Sequence, residues 1–398
     1  MTSVGPQLPL GSQLGGYELI RPIAQGGMAD IYLARRVGPG QFERHVAVKV
    51  LNRMRAADPE ACAMFLDEAR LVALLNHHNI ASVFEVDVVD GKHYLAMEYV
   101  HGADLREVLA RSQHAGQLLP FETALSIVCA AAAGLDHAHR RSGPDGKPLR
   151  LVHRDVSLSN IMVGHDGSVK VVDFGIATTT IASVHTLPGV VRGKASYMSP
   201  EQCLGDPVDQ RCDVFALGVV LYELTTGARC FAGKTDFERM LAVVQGDYIA
   251  PSDLVASYPA ELEAVIRTAL ATDPRQRFAS AAALIEALQR VAVGQGWIGG
   301  PGAIQRAMRE LFGDIREPWT SQLDDAPATE PHSPISIYAS HASSCASSPA
   351  SLPRIAEPTR PACRLARGTE CDLWADELDE RTRGRGPVRR PLRPWLAA

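Results

Sequence analysis

The chain has 398 residues, of which 46% are hydrophobic and 21% are charged, and its formal net charge at neutral pH is −5. This composition is that of a globular protein, and so small a net charge excludes a general attraction to nucleic acid or to anionic membranes. The eight cysteines form no Cys-x-x-Cys pair and have no metal-ligand spacing, which indicates a reduced intracellular setting. Residues 1–16 do not have the pattern of a signal peptide, and no apolar run is long enough to span a membrane. We therefore expect a cytoplasmic protein without a membrane partner.

The first part of the chain, residues 17–99, is predicted to form a small sheet that carries one helix. Runs of β-branched residues alternate with turns there, as at residues 46–50 and 93–97. One helical stretch, residues 59–75, interrupts these runs.

The pattern becomes helical from residue 100 to residue 293. Residues 121–140, 214–225 and 261–270 have apolar positions spaced at about 3.6 residues. Two short strand-like runs, residues 161–163 and 169–172, predict a hairpin inside this helical part.

The last part of the chain changes character twice. Residues 294–316 are predicted to form a linker and a short helix over residues 303–312. Residues 317–398 are rich in Ser, Pro, Ala and Arg without periodicity, which predicts a disordered tail.

The most informative motifs flank the predicted hairpin. Residues 153–160 read HRDVSLSN, and residues 173–175 read DFG. In this order and at this spacing they resemble the catalytic loop and the magnesium loop of the protein kinase family. The resemblance implies that Asp155 orients or deprotonates a hydroxyl nucleophile, and that Asn160 and Asp173 are magnesium ligands. Ordinary turn residues around a hairpin would explain one of these motifs but not both.

A lysine and a glutamate further upstream fit the same family. Residues 46–49 read VAVK and resemble its VAIK strand, and Glu68 lies on the helix predicted for the small sheet region. The resemblance implies that Lys49 binds the α- and β-phosphates of ATP while an ion pair with Glu68 holds its ammonium group. Taken alone, each would be an ordinary surface charge.

The glycine-rich loop departs from the family pattern GxGxxGxV. Residues 24–31 read AQGGMADI, so that alanine stands at the first and third glycine positions. The phosphate-covering loop would consist of Ala24, Gln25, Gly26 and Gly27. We expect weaker or more mobile clamping of the nucleotide, because alanine tolerates positive φ poorly.

The resemblance also implies an adenine site at the connection between the two parts of the chain. Met97 is at the gatekeeper position, and the backbones of Glu98 and Val100 would hydrogen-bond the ring edge. The side chains that would contact the faces of the ring, which are otherwise ordinary core residues, are Ile31, Ala47 and Met162. Asp104 could accept hydrogen bonds from the ribose hydroxyls.

Two further positions differ from the usual serine/threonine kinase pattern in a complementary way. Ser157 stands where these kinases carry a lysine, and Lys194 stands where a threonine normally binds the catalytic aspartate. We hypothesise that Lys194 reaches Asp155 and the γ-phosphate and restores the missing cation. The alternative is an unrelated surface lysine.

Several structural interactions are also predicted. Glu201 should pair with Arg277, and Asp213 should hold the backbone of the catalytic loop near His153, because buried carboxylates need such partners. Four side chains would stack as the column that links Glu68 to the DFG loop in active kinases: Val72, Val83, His153 and Phe174.

A regulatory site is available in the activation segment. Arg154 directly precedes the catalytic aspartate, and an arginine in that place can pair with a phosphorylated loop and order it. The candidate acceptors between residues 175 and 193 are Thr178, Thr179, Thr180, Ser183 and Thr186. The alternative is a flexible polar loop without this function.

Over residues 17–293 the chain is identified by these motifs as a member of the bacterial Hanks-type (eukaryotic-like) serine/threonine protein kinase family. The expected fold is α+β with two lobes: after an N-terminal extension, residues 1–16, a small sheet lobe with one helix spans residues 17–99, and a larger helical lobe spans residues 100–293. The resemblance implies transfer of the γ-phosphoryl group of ATP to protein serine or threonine hydroxyls in bacterial signalling, with Mg²⁺ or, in its place, Mn²⁺. Protein substrates are the expected partners, together with self-association for autophosphorylation of the activation segment.

Two other classes of function stay open. A pseudokinase that binds nucleotide or acts as a scaffold is favoured by the two missing glycines and Ser157, whereas the complete set of Lys49, Glu68, Asp155, Asn160 and Asp173 favours an enzyme. An adaptor could bind nucleic acid through its arginine-rich residues 381–393. The acidic run at residues 372–380 neutralises much of that charge, so nucleic acid is not the expected partner.

Overall fold

The structure, a computed structural model, describes residues 8–26, 28–38, 42–143, 145–174 and 194–319. Within these residues it contains nine strands in two sheets, together with eleven α-helices. None of the helices in this part of the chain has the length and apolar character that a membrane span requires.

The N-terminal part folds into an antiparallel sheet. Its six strands are, in chain order, β1 (Gln13–Leu14), β2 (Tyr17–Gln25), β3 (Ala29–Val37), β4 (Glu43–Leu51), β5 (Val83–Val89) and β6 (Lys92–Glu98). They lie side by side in the order β1-β2-β3-β4-β6-β5. This order places β4, which carries Lys49, in the interior of the sheet beside β6, whose last residue leads to the second lobe.

The two faces of this sheet are buried in different apolar clusters. Val46, Val48 and Val50 pack with tyrosines of the neighbouring strands on one face. Ala47 and Leu51 pack on the other face against a helix. The alternation follows the two-residue period of a strand. Lys49 has the same parity as Ala47, so the sequence pattern directs its side chain to the helix-covered face.

Two helices accompany this sheet, α1 (Arg53–Ala56) and α2 (Pro59–Val72). The side chain of Asp58 caps α2 by accepting a hydrogen bond from the Glu60 amide, and Pro59 occupies the first turn, where it loses no helical hydrogen bond. The sequence predicted one helix, over residues 59–75. The observed α2 ends three residues earlier, and the single turn α1 was not predicted.

The second lobe contains nine helices within the described ranges. They are α3 (Leu105–His114), α4 (Phe121–His139), α5 (Pro200–Leu204), α6 (Arg211–Thr226), α7 (Asp236–Gln245), α8 (Pro251–Leu254), α9 (Ala260–Ala269), α10 (Ala281–Gln295) and α11 (Pro301–Phe312). Every residue of α6 from Cys212 to Thr226 is buried. A helix that is buried on all sides forms the centre of a core, and here α4 packs directly against it.

The predicted hairpin is present in the second lobe. It consists of β8 (Ile161–Gly164) and β9 (Val169–Val171), and β7 (Gly102–Asp104) adds a third strand. Gly167 in its turn has φ +86°, a conformation that favours glycine, and a Cβ atom there would collide with the carbonyl oxygen of Pro301. The hairpin holds the residues before β8 and after β9 at one end of the sheet.

Helix α11 belongs to the core of the second lobe. It packs against α3 and α4, and Ile304, Ala307 and Met308 are buried in the main apolar cluster. The helix predicted over residues 303–312 therefore begins two residues earlier, at Pro301. Residues 317–319, which the sequence assigned to the predicted tail, belong to the described part, and Trp319 stacks on His45 of β4. Residues 320–398 lie outside the described part.

Candidate active site

Lys49 lies between two carboxylates. Its Nζ is 2.8 Å from Asp173 Oδ1 and 3.9 Å from Glu68 Oε1. The predicted contact with Glu68 is therefore present, and a shorter ion pair with Asp173 accompanies it. Burial by itself would lower the pKa of Lys49, but the two carboxylates outweigh this effect and raise the pKa above its usual value. The Lys49 side chain is therefore a cation that two carboxylates hold in place.

Asn160 holds Asp155 on the catalytic loop. Its Nδ2 donates to the backbone carbonyl of Asp155 at 2.7 Å and to Asp155 Oδ2 at 3.0 Å. A 3-10 turn over Leu158–Asn160 brings the buried asparagine side chain to this position directly before β8. With its amide nitrogen used on Asp155, Asn160 presents Oδ1 as an acceptor.

Asp213 at the start of α6 holds the backbone of the catalytic loop. Its carboxylate accepts the backbone N–H groups of His153 and Arg154, both at 2.9 Å, as predicted. His139 Nε2, 2.7 Å from Asp213 Oδ2, is a further partner that the sequence did not indicate. Burial alone would raise the pKa of Asp213, but these hydrogen bonds hold it below its usual range.

Two residues of the site have left-handed backbone conformations. Arg154 has φ +65° and Asp173 has φ +52°. Such conformations are uncommon for residues other than glycine and persist only where the surroundings enforce them. Each residue makes a close contact here: the Arg154 amide donates to Asp213 Oδ1, and the Asp173 carboxylate pairs with Lys49.

The predicted column of side chains is present in part. The rings of His153 and Phe174 lie 4.6 Å apart, and Phe174 is fully buried. Val72 packs against the large-lobe cluster that contains Phe174. Val83 packs instead in the small-lobe cluster with Phe65 of α2.

A cleft of about 370 Å³ lies between the two lobes. This volume is within the range of small-molecule sites. It is lined by the residues predicted to surround the adenine, namely Ile31, Ala47, Met97, Glu98, Val100 and Met162, and by Asp173. The side chain of Glu98 is bound to Lys170 Nζ at 2.7 Å and to the Ser82 amide at 3.1 Å. Because these two contacts fix the Glu98 side chain, they also hold the Glu98 backbone beside the cleft.

Asp104 does not occupy the position that the sequence suggested. It is fully buried and caps α3, where its Oδ1 accepts from the Glu107 amide at 2.8 Å. Glu107, one helical turn further on, lines the cleft. Because its side chain is buried and does not line the cleft, Asp104 is not placed for the expected ribose contact, and Glu107 is instead a carboxylate that lines the cleft. The Asp-x-x-Glu spacing is a helix-start signal that could have indicated this arrangement.

The glycine-rich loop is a tight connection between β2 and β3. Ala24 pairs with Ile31 and Gln25 with Asp30, and the Gly26 amide donates to the Ala29 carbonyl at 3.0 Å. Both substituted positions, Ala24 and Ala29, lie in strands, where alanine is accommodated. Gly27 lies outside the described residues. The weaker clamping expected from the missing glycines stays a prediction.

The complementary pair Ser157 and Lys194 is described only in part. Ser157 is buried, with its Oγ 3.0 Å from Ser159 Oγ. Lys194 opens a 3-10 turn, but its side chain lies outside the described part, as does the whole activation segment from residue 175 to residue 193. The proposed contact of Lys194 with Asp155 stays a prediction.

The predicted ion pair between Glu201 and Arg277 is present. Arg277 Nη1 and Nη2 each lie 2.7 Å from one carboxylate oxygen of Glu201, and both side chains are buried. Arg277 also donates to the carbonyl oxygens of Ala271, Thr272 and Arg211. A bidentate pair with its remaining donors satisfied is a rigid contact between α5 and the segment before α10.

The chemistry of the site fits a magnesium nucleotide. The Asp173 carboxylate and the Asn160 amide are hard oxygen donors, and Mg²⁺ at phosphate sites commonly takes one or two protein ligands together with phosphate oxygens and water. A fixed lysine cation lies beside them. These residues would hold Mg²⁺ and its phosphates next to the carboxylate of Asp155.

Comparison with known proteins agrees with this geometry. The protein kinase domain family matches residues 17–288. Tyrosine-protein kinase MasK of Myxococcus xanthus is 41% identical over 282 residues, which are 71% of this chain and 44% of that protein. Serine/threonine-protein kinase PknB of Mycobacterium leprae is 38% identical over 284 residues, covering 70% of this chain and 43% of PknB. The chain matches less than half the length of these relatives.

Solved structures give the same result. The crystal structure of the Mycobacterium tuberculosis PknI kinase domain has a TM-score of 0.55 and 30% identity, covering 72% of this chain and 100% of that domain. The chain therefore belongs to the protein kinase family, and within it to the bacterial Hanks-type kinases. The predicted two-lobed fold is confirmed.

Proposed function

We propose that this chain transfers the γ-phosphoryl group of ATP to serine or threonine hydroxyls of proteins. The observation that carries the proposal is the assembly of five phosphoryl-transfer residues around Asp173, which lines the cleft: Lys49, Glu68, Asp155, Asn160 and Asp173 itself. Lys49 is held by Asp173 and Glu68, and Asp155 is held by Asn160. A module that only bound nucleotide would not need a carboxylate fixed in the position of Asp155.

Each residue has a separate task in this reaction. When bound, Mg²⁺ neutralises charge on the phosphates, and Asp173 and Asn160 would hold it there. Lys49 stabilises the α- and β-phosphates with its fixed ammonium group. Asp155 accepts a hydrogen bond from the substrate hydroxyl and orients its oxygen toward the phosphorus, and then takes its proton. Catalysis of this kind depends on positioning and on charge placed in advance.

The choice of serine and threonine over tyrosine rests on family resemblance. PknB and PrkC are named serine/threonine kinases, whereas MasK carries the name of a tyrosine kinase. Ser157, in place of the usual lysine, removes one marker of serine/threonine kinases. The hydroxyl class is therefore the part of the proposal that most needs an experiment.

The test is phosphoryl transfer by the full chain with labelled ATP and Mg²⁺, followed by mass-spectrometric mapping of the phosphorylated residues. We expect phosphoserine and phosphothreonine, including autophosphorylated residues between 178 and 186. We also expect Mn²⁺ to support the reaction when it is supplied in place of Mg²⁺. Phosphotyrosine alone would overturn the hydroxyl class. Nucleotide binding without any transfer would favour the pseudokinase instead.

The cellular setting is proposed as the bacterial cytoplasm, where ATP is available. Five cysteines in the described part of the chain are free thiols, which fits a reducing compartment. Self-association would let one copy phosphorylate the activation segment of another.

Lys194 is expected to supply the cation that Ser157 lacks. If it does, Lys194→Ala should lower kcat by roughly 30-fold or more, about 2 kcal/mol of transition-state stabilisation. The combined change Ser157→Lys and Lys194→Thr should recover much of the rate. Ser157→Lys alone should help little, because two ammonium groups would then crowd one site.

A double-mutant cycle in steady-state kinetics measures this coupling. Strictly additive effects of the two changes would show that the residues do not share a task. Lys194 would then be an unrelated surface lysine.

A further inference from the structure

The last residue of α11 and the residues that follow it cross from one lobe to the other. We call this segment, residues 312–319, the C-terminal strap. Its beginning is fixed on the large lobe, because α11 is buried against α3 and α4 through residues such as Ile304 and Met308. The family match ends before α11, at residue 288, so the strap is a feature of this chain outside the matched segment.

The far end of the strap is fixed on the small lobe and on the connection between the lobes. The Trp319 ring stacks on His45 of β4, with centroids 4.1 Å apart and planes 8° from parallel. It also meets Tyr99 edge-on at 5.8 Å and His101 at 6.4 Å. Burial lowers the pKa of both histidines, which favours the neutral imidazole beside the indole. One side chain thus contacts both lobes.

Between these two ends the strap borders the nucleotide cleft. Phe312, Ile315, Arg316 and Pro318 line the same space as the gatekeeper Met97. The cleft retains about 370 Å³ with the strap in place. The strap therefore forms one side of the cleft and does not fill it.

The first residue of the strap also positions a polar group of the cleft. The Arg111 guanidinium lies 4.4 Å from the centre of the Phe312 ring, a cation–π contact. The same guanidinium is 3.3 Å from Glu107 Oε1, and Glu107 lines the cleft. Phe312 is therefore linked, through Arg111, to a carboxylate that lines the cleft.

We propose that the C-terminal strap is the outer wall of the nucleotide site, so that nucleotide affinity depends on residues beyond the segment shared with the family. Ile315 and Pro318 give an apolar surface to the exposed edge of the base and ribose. Trp319 holds that surface in place by bridging His45 and the connection between the lobes. The part of this proposal that concerns nucleotide rests on the proposed kinase function, whereas the bridge between the lobes does not.

The first test measures nucleotide affinity in the full chain. Trp319→Ala releases the strap from the small lobe, and Ile315→Ser removes an apolar contact from its wall. The matched control is Ile298→Ser, because Ile298 precedes α11 and is 86% exposed. Titration with magnesium and a fluorescent ADP analogue should give a Kd about tenfold weaker for both strap variants, as expected for loss of one apolar contact. The control should bind as the unaltered chain does.

The second test needs no nucleotide. Hydrogen exchange followed by mass spectrometry should show faster exchange in Trp319→Ala at residues 43–48 and 98–103, and no change in the control. Unchanged exchange would overturn the bridge between the lobes, and with it the strap. Faster exchange with unchanged nucleotide affinity would overturn the wall. Absence of nucleotide binding by the unaltered chain would contradict the proposed function, while the exchange result would still decide the bridge.

Discussion

Replacement of Asp155 or Asp173 by asparagine is expected to lower the rate of phosphoryl transfer by at least ~10³-fold, because each change removes a charge that the transition state uses. Neither side chain is a core contact, so the fold should remain intact. The measurement is kcat with labelled ATP and Mg²⁺, together with thermal unfolding of each variant. Asp67→Asn is the matched control, since this carboxylate lies exposed on α2 beside Glu68.

The two aspartates should differ in one respect. Asp173 is the 2.8 Å partner of Lys49, so Asp173→Asn should weaken nucleotide binding as well as turnover, whereas Asp155→Asn should affect turnover alone. Substantial transfer by Asp173→Asn in the presence of magnesium would contradict its assignment as a magnesium ligand.

Arg277→Ala is expected to destabilise the protein by about 3–5 kcal/mol, because it leaves the buried carboxylate of Glu201 without its partner. The free energy of unfolding from urea denaturation measures this loss. Arg275→Ala is the control. Arg275 pairs with Asp273 on the surface, where an ion pair contributes little.

A second variant separates the pair from its surroundings. Glu201→Leu combined with Arg277→Met removes both charges, and it should be less destabilising than Arg277→Ala alone, because no buried charge is left unpaired. Equal stability of Arg277→Ala and Arg275→Ala would show that the buried pair does not hold the lobe together.

The sequence predicted the contacts that the family motifs encode. Lys49 and Glu68, and Glu201 and Arg277, are distant in the chain but occupy motif positions, so their pairing could be inferred from the sequence alone. Asp104 shows the limit of this reasoning. It occupies the motif position for a ribose contact, but its short side chain satisfies the first turn of α3 instead. Local capping competed with the family pattern, and Glu107, one turn further along α3, is a carboxylate that lines the cleft.

The strap could not be predicted from the chain. Residues 313–319 have no apolar periodicity, and the composition of the residues that follow predicts disorder. The contact of Trp319 with His45 joins positions that are far apart in sequence and belong to no shared motif. The contact is visible only in the folded structure, where the residues that follow α11 lie close to β4. The Lys49–Asp173 ion pair was not predicted either, because the sequence analysis assigned Lys49 to the phosphates of ATP and Asp173 to magnesium.

The close approach of Gly167 to Pro301 has a consequence for where the folding unit ends. The hairpin turn that separates Asn160 from Asp173 is packed against the first turn of α11, which begins beyond the family match at residue 288. A chain cut at that boundary would uncover the apolar surface of α4 and leave the turn without its neighbour. Helix α11 thus lies outside the segment that the family model matches, yet it packs against the turn of the hairpin whose two ends carry the proposed magnesium ligands.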